Sequence, residues 1–244
     1  MKKLYKKDEV WFAILWIVIY CLVELIGGHL SRTIGIESFF TAILNLVLTM
    51  VLFVWIKQND LLEKYGFCRT SVPAKKFFYY LPLIVISTVG LWNGVAINMS
   101  VFEMICYICS MACVGFLEEM IFRGFLFKAM SIDNPKNAMI VSSVTFGLGH
   151  FLNLMNGSGM DWIANLCQVC GAIAIGFLFV VIFYRSGSLL PCIFTHAAID
   201  VMSVFANETG LTVEKRLMLS GIRLVIVLIY TFVLCKTLPQ KKHE

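Results

Sequence analysis

VWFAILWIVIYCLVELIGGHL, residues 10–30, decides the fold class. An uninterrupted apolar run of about 20 residues is long enough to cross the hydrocarbon core of a bilayer as an α-helix. Its only carboxylate is Glu24, and polar residues do not alternate with apolar ones, as they would in a strand of a membrane β-barrel. The stretch therefore predicts a membrane-spanning helix near the N-terminus.

The rest of the chain has the same character, since 59% of the 244 residues are hydrophobic and 14% are charged. Soluble domains carry about 25% charged residues. Polar connectors divide the chain into apolar segments at 10–30, 38–56, 77–97, 101–127, 137–155, 162–184, 188–206 and 218–238. We predict an all-α, polytopic membrane helix bundle of about eight transmembrane helices, forming a single membrane domain over residues 1–244.

The basic residues predict the orientation, because Lys and Arg concentrate on cytoplasmic loops. One set of segment ends carries Lys2, Lys3, Lys6, Lys7, Lys57, Lys64, Arg69, Lys75, Lys76, Arg123, Lys128, Lys136, Arg185, Lys236, Lys241 and Lys242. The other set carries Arg32, Lys215 and Arg216, with Arg223 just inside the last segment. Both termini are therefore expected in the cytoplasm. The net charge of +5 reflects this distribution rather than a nucleic-acid partner.

The fourth segment contains charges that membrane helices rarely tolerate. GFLEEMIFRGFLF, residues 115–127, holds Glu118, Glu119 and Arg123. Glu119 and Arg123 are four residues apart and share a helix face, so they are expected to form an ion pair. Glu118 is turned by about 100° and is expected to point elsewhere. The alternative interpretation is a purely structural triad at a cytoplasmic helix end, and isolated residues such as Glu24 and Glu103 are interpreted as interfacial or interhelical contacts.

Two further segments carry histidines inside apolar surroundings. TFGLGHFLN, residues 145–153, contains His150 with Asn153 three residues later, and FTHAAID, residues 194–200, contains His196 with Asp200 four residues later. A single buried histidine is usually a hydrogen-bonded core residue. Two histidines with carboxylates on three separate segments are hard to explain by packing alone, because ionisable groups in membrane segments usually serve function.

These residue types fit hydrolysis of an amide bond. A carboxylate and an imidazole can hold and deprotonate a water, and a second histidine or a protonated carboxyl can donate to the oxyanion. The same set, Glu118, His150, His196 and Asp200, can instead hold a divalent metal such as Zn²⁺ that activates the water. The residues alone leave both routes open, and no cofactor is required by the first.

Three motifs in this order resemble the CPBP family (CAAX protease and bacteriocin-processing, or ABI) of intramembrane endopeptidases, which includes the type II CAAX prenyl endopeptidases. The family patterns are Glu-Glu-x-x-x-Arg, Phe-x-x-x-His and His-x-x-x-Asn/Asp. Here they read Glu118-Glu119-Met-Ile-Phe-Arg123, Phe146-Gly-Leu-Gly-His150 and His196-Ala-Ala-Ile-Asp200. The resemblance covers about residues 100–206, which we expect to be the catalytic core.

The resemblance implies a polar cavity open to the cytoplasm and a role for each motif residue. Glu118 and His150 would activate the water, and His196 and Asp200 would stabilise the oxyanion. Glu119 and Arg123 would support the site. Asn153 is not part of the motifs, and we expect it to support the site from its position three residues after His150. The family has been described both as metalloproteases and as metal-free, glutamate-dependent enzymes, and we favour the second. A protonated Asp200 can donate to an oxyanion, whereas an ionised Asp200 only accepts and would orient His196 or bind a metal.

The expected function is therefore a membrane endopeptidase cutting a peptide near the cytoplasmic face, in CAAX-type processing, bacteriocin or peptide processing, or self-immunity. Its expected partners are a peptide or prenylated-protein substrate and the lipid bilayer, with no nucleic acid. The short polar tails fit a bacterial plasma membrane. Two other functions are considered: a non-catalytic immunity or scaffold protein, and a proton-coupled transporter, for which broken helices in inverted repeats would be expected.

Overall fold

The computed structural model describes residues 1–155 and 159–239, and the side chain of Met155 is not described. Two parts of the predicted layout lie outside the described residues: residues 156–158, in the connector between segments 137–155 and 162–184, and the C-terminal Lys241 and Lys242. The helices are α1 Lys2–Lys7, α2 Glu9–Ile34, α3 Phe39–Gln58, α4 Leu81–Ser87, α5 Val101–Glu118, α6 Lys128–Met130, α7 Pro135–Gly149, α8 Leu152–Met155, α9 Trp162–Ser186, α10 Leu190–Met202 and α11 Val213–Thr237. Across the described ranges there is no strand, only an isolated bridge between Val95 and Ala206, so the all-α prediction is confirmed.

One of these helices changes its winding at the motif residues. A π-helix over Glu119–Phe127, here called the π segment, joins α5 to α6, so that Val101–Met130 is one continuous rod. Ser100 begins the rod with a capping box, because its hydroxyl accepts from the Glu103 amide while Glu103 accepts from the Ser100 amide. Glu103 therefore makes a local contact at the start of the rod, and its interfacial position stays a prediction.

Within the described residues, five helices are long and apolar enough to cross a membrane, by length and composition: Glu9–Ile34, Phe39–Gln58, Val101–Met130, Trp162–Ser186 and Val213–Thr237. The membrane helix bundle is thus confirmed, but the expected eight long spans are not found. Segment 137–155 is divided into α7 and the one-turn α8, and segment 188–206 contains the 13-residue α10 followed by a 3₁₀ turn at Ser203–Phe205.

Segment 77–97 departs furthest from the prediction, because it is not one helix. Phe78, Tyr79 and Tyr80 have positive φ angles of 49°, 52° and 60°, which an α-helix cannot contain. Pro82 follows and has no amide hydrogen to donate, so the seven-residue α4 starts afresh there. Hydropathy alone could not separate this broken segment from a continuous span.

Burial divides the long helices into a centre and a periphery. In their most apolar windows, α9 is 67% buried and the Val101–Met130 rod 61%, against 17% for α11. Helices α2, α3 and α11 expose rows of large apolar side chains such as Val18, Leu22, Val47 and Leu228. Such a surface is suited to lipid, so the centre of the bundle is formed by α9 and the rod that carries Glu118 and Glu119.

Candidate active site

The π segment brings the first motif into the most enclosed part of the bundle. All nine of its residues are buried, and the side chains of Glu119 and Arg123 have no exposure. Arg123 Nη1 lies 3.1 Å from Glu119 Oε1, so the predicted ion pair is present. π-Helical turns occur often at functional sites because they change which side chains face one direction.

The Arg123 guanidinium is covered by aromatic rings rather than by water. It lies 4.1 Å from the centre of the Phe146 ring and 5.8 Å from that of Phe179. Its Nε and Nη2 atoms have no hydrogen-bond partner among the described residues. Cation–π contacts and Glu119 therefore hold a charge that would otherwise be costly at this depth.

A close helix crossing brings the third motif to the first. A Cβ at Gly115 would stand 2.5 Å from the Ala197 amide nitrogen, so glycine lets α5 and α10 pack backbone to backbone. Glu118 and Glu119 follow Gly115 by about one helical turn, and His196 precedes Ala197. The crossing therefore puts the imidazole between the two carboxylates.

His196 is the centre of the polar cluster and is 6% exposed. Its Nδ1 lies 2.8 Å from Glu119 Oε1, and its Nε2 lies 3.4 Å from Glu118 Oε2 and 3.3 Å from Asp200 Oδ2. Glu118 lies outside the Glu119–Arg123 pair, as expected, but it was not expected that both carboxylates would contact the same ring, one at each nitrogen. Helix geometry predicts an angle between the two side chains, but it cannot predict that an imidazole from another helix lies between them.

The cluster must share protons, because carboxylates only accept hydrogen bonds and a neutral imidazole has a single N–H. Both nitrogens of His196 face carboxylate oxygens. Either the ring is an imidazolium or one of the carboxyl groups carries a proton. Three carboxylates opposite Arg123 and an imidazolium still leave one negative charge, which is unfavourable in a buried site. The site can therefore take up and release a proton with little rearrangement.

Glu118 has one oxygen engaged and one available. Its Oε1 accepts a hydrogen bond of 2.8 Å from the hydroxyl of Tyr20 on α2. Its Oε2 has no hydrogen-bond partner among the described residues, although it is buried. Tyr20 was missed by the sequence analysis, although it lies four residues from both Trp16 and Glu24 and so shares their helix face.

His150 is less directly connected to the cluster than expected. It follows the end of α7 instead of lying within a helix, and no side chain in the described ranges hydrogen-bonds to its ring. The Phe146 ring packs against both imidazoles, with its centre 5.2 Å from that of His150 and 5.6 Å from that of His196. Van der Waals contact through Phe146, rather than a hydrogen bond, links the second motif to the third.

Close packing and two asparagines fix the end of α7. A Cβ at Gly147 would stand 2.9 Å from the Ile173 amide nitrogen, so α7 and α9 nearly touch. Asn165, fully buried on α9, donates to the His150 carbonyl at 2.8 Å, while the Asn153 side chain donates to Gln168 at 2.9 Å. Asn165 was not predicted, because an asparagine inside an apolar run gives no indication of the loop it will support.

Glu24 belongs to a neighbouring polar contact. Its Oε1 accepts from Asn45 Nδ2 at 2.7 Å, and the same amide group lies 3.1 Å from Ser110 Oγ. This contact joins α2, α3 and α5, as expected for an interhelical polar group. It lies one turn along α2 from Tyr20 and so extends the polar region beyond Glu118.

The donor set does not fit a metal ion as it stands. Over residues 1–155 and 159–239, no three His, Cys, Asp or Glu side chains are arranged to hold one together. His196 Nδ1 already contacts Glu119 Oε1 at 2.8 Å.

The comparisons with known proteins agree with the motifs. Residues 100–202 match a family model described as "Rce1-like: Type II CAAX prenyl endopeptidase Rce1-like". No curated protein and no solved structure matches the chain significantly. The matched segment contains all three motifs, and the matched model describes a family of endopeptidases. The predicted resemblance is thus confirmed, because residues 100–202 are similar to the Rce1-like type II CAAX prenyl endopeptidases.

Proposed function

We propose that the protein is an intramembrane endopeptidase that hydrolyses a peptide bond near the cytoplasmic face by means of a water activated by Glu118. The observation that carries this proposal is the convergence of Glu118, Glu119 and Asp200 on His196 inside an apolar bundle. A purely structural ion pair needs one cation and one anion. Three carboxylates around one imidazole instead form a group that can exchange protons, as general acid–base catalysis requires.

The reaction begins at Glu118 Oε2, the oxygen that has no hydrogen-bond partner among the described residues. Glu118 Oε2 accepts a proton from a water as the water oxygen bonds to the carbonyl carbon of the scissile peptide. The negative charge that develops on the carbonyl oxygen is stabilised by a donor from His196 or a protonated Asp200. The C–N bond then breaks, and the proton held by Glu118 passes to the leaving amine, which returns the carboxylate to its initial state.

The remaining motif residues have supporting roles in this proposal. Glu119 orients His196 through Nδ1, which directs Nε2 towards Glu118 and Asp200. Arg123 neutralises Glu119. The ring of His150 has no hydrogen-bonding side chain within the described ranges, so it is available to a water or to the substrate, and we assign it to water activation with Glu118. Asn153 supports the loop that carries His150.

The substrate class is proposed from the family rather than from the site. A CAAX-type prenylated C-terminus, a peptide and a bacteriocin precursor all present an amide bond that this chemistry can cut. Most bacteria do not prenylate proteins, so we propose peptide processing or self-immunity in a bacterial plasma membrane.

The main alternative is a membrane immunity or scaffold protein that acts by contact. A scaffold gives no physical reason to keep three carboxylates around one buried imidazole, which disfavours it. A proton-coupled transporter is disfavoured for a different reason, because the sequence contains no inverted repeat.

The decisive experiment is cleavage of a peptide library by the detergent-purified protein, with products identified by mass spectrometry. Glu118→Gln should lower the rate at least about 100-fold, since an amide cannot accept the proton of the water. Glu63→Gln, at an exposed carboxylate in the connector after α3, is the control and should leave the rate unchanged. Full biological effect of the Glu118→Gln variant would favour the scaffold function instead.

Metal dependence is tested on the same assay. Because the donors do not form a metal-binding group, we propose that a chelator such as EDTA or 1,10-phenanthroline leaves the cleavage rate unchanged. Loss of activity on chelation, restored by Zn²⁺ in stoichiometric amount, would replace the glutamate-only mechanism by a metal-assisted one.

The orientation is part of the proposal, with both termini in the cytoplasm. Its support is the charge distribution, because Lys and Arg are retained on the cytoplasmic side. Cysteines introduced at Lys3 and at Lys215 of a variant lacking reactive native cysteines should label from opposite sides of sealed vesicles. Labelling of both from the same side would reject this topology.

A further inference from the structure

The contact between Tyr20 and Glu118 joins the matched segment to a helix outside it. Tyr20 lies on α2, about 80 residues before the start of the family match at residue 100. Its hydroxyl donates to Glu118 Oε1 at 2.8 Å, and the side chain is 6% exposed. Such a bond to a carboxylate is charge-assisted and among the stronger hydrogen bonds in proteins.

Packing fixes the tyrosine relative to the π segment. Phe12, Trp16 and Tyr20 recur at every fourth position and form a buried stripe on α2. The rings of Phe12 and Trp16 both pack against Phe125, with centres 5.1 Å and 6.4 Å from it. The stripe therefore holds α2 in a set position along the π segment, and the hydroxyl is delivered to Glu118 by rigid helices.

The bond distinguishes the two oxygens of Glu118. Oε1 is occupied by Tyr20, whereas Oε2 lies 3.4 Å from His196 Nε2 and has no hydrogen-bond partner among the described residues. A carboxyl group free to rotate would present either oxygen to either neighbour. With Oε1 held, the oxygen nearest His196 is the one left to accept a proton.

We infer that Tyr20 is a positioning residue that holds Glu118 so that Oε2 faces the reacting water beside His196. This inference rests on the proposed function, since it assigns Tyr20 a part in the same reaction. It also makes α2 a component of the site, although α2 carries none of the three motifs.

The kinetic test uses Tyr20→Phe, which keeps the ring and its packing and removes only the hydroxyl. The expected result is a fall in kcat of about tenfold with little change in KM, because a hydrogen bond to a charged group is lost without a substrate contact. Tyr230→Phe is the matched control, since Tyr230 is also buried, at 4% exposure, and donates to the Phe77 carbonyl away from the cluster.

A spectroscopic test measures the bond without relying on turnover. The infrared stretching band of the Glu118 carboxyl group, identified by its loss in Glu118→Gln, should change frequency in Tyr20→Phe and not in Tyr230→Phe. An unchanged band overturns the inference, whatever the activity. An unchanged kcat in Tyr20→Phe, with an active wild type and an inactive Glu118→Gln variant, also overturns it and leaves the proposed function standing. A wild type that cleaves no peptide instead removes the proposed function, and the catalytic meaning of the bond with it.

Discussion

Gly115 on α5 and Ala197 on α10 meet backbone to backbone, since a Cβ at Gly115 would stand 2.5 Å from the Ala197 amide nitrogen and 2.7 Å from its Cα. Cβ atoms do not approach other atoms so closely, so a larger residue must push the helices apart. His196 is the neighbour of Ala197, and Glu118 and Glu119 follow Gly115 by one turn. The distances within the polar cluster therefore depend on an apolar contact that contains no catalytic group.

Gly115→Ala should separate the two helices and disturb the cluster. We expect a loss of about 1–3 kcal/mol in the free energy of unfolding, because overpacking at a backbone contact cannot be relieved by turning a side chain. Thermal unfolding in detergent and the cleavage rate should both decrease. Gly221→Ala is the control, since its Cβ meets nothing within 4 Å, and there alanine should be neutral or slightly stabilising. Equal behaviour of the two variants would contradict the close crossing.

Arg123→Met should destabilise the protein strongly, because it leaves Glu119 buried without its cation. Removing one partner of a buried pair costs about 3–5 kcal/mol, whereas removing both charges costs much less. The double variant Glu119→Gln with Arg123→Met should therefore be more stable than Arg123→Met alone, as measured by thermal or denaturant unfolding. Arg69→Met, at an exposed arginine, should change stability by less than about 0.5 kcal/mol. A double variant no more stable than the single one would show that the pair is not the reason for the loss.

The sequence predicted the parts of the molecule that depend on local pattern. Hydropathy identified the membrane bundle, and the spacing of Glu119 and Arg123 predicted their ion pair, because residues four apart share a helix face. The motifs also located the family segment, which the match over residues 100–202 confirms. Each of these features is determined within a few residues of chain.

The missed features depend on contacts between distant residues or on backbone angles. The inserted ring of His196 cannot be inferred from the angle between Glu118 and Glu119, because it comes from α10 across the Gly115 contact. The bond from Tyr20 joins residues 98 positions apart and has no local signal. The broken segment around α4 reflects positive φ angles at three aromatic residues, which have no intrinsic preference for that conformation.

Asp200→Asn should keep most of the activity, and Asp200→Ala should lose it. Asp200 Oδ2 lies 3.3 Å from His196 Nε2, and the family motif admits either Asn or Asp at this position. An asparagine amide can donate to the oxyanion without needing a proton, whereas alanine offers no polar group. We expect a change within about tenfold for asparagine and a loss of about 100-fold or more for alanine, as measured by kcat. Asp133→Asn, at an exposed carboxylate, is the control. Inactivity of Asp200→Asn would show that the carboxylate orients His196 or accepts a proton instead.

His150→Gln tests whether the His150 imidazole takes part in the reaction. The proposed role in water activation predicts a fall in kcat of about 100-fold, the lower end of the range for general acid–base catalysis. The folded state should be little affected, because the contact that holds this loop is made by the His150 backbone carbonyl with Asn165, which glutamine preserves. The control is His29→Gln, at an exposed histidine on α2, which should leave both the rate and the unfolding temperature unchanged.

If His150→Gln unfolds at the wild-type temperature and keeps the wild-type rate, water activation belongs to Glu118 without His150. The catalytic group would then be limited to Glu118, His196 and Asp200.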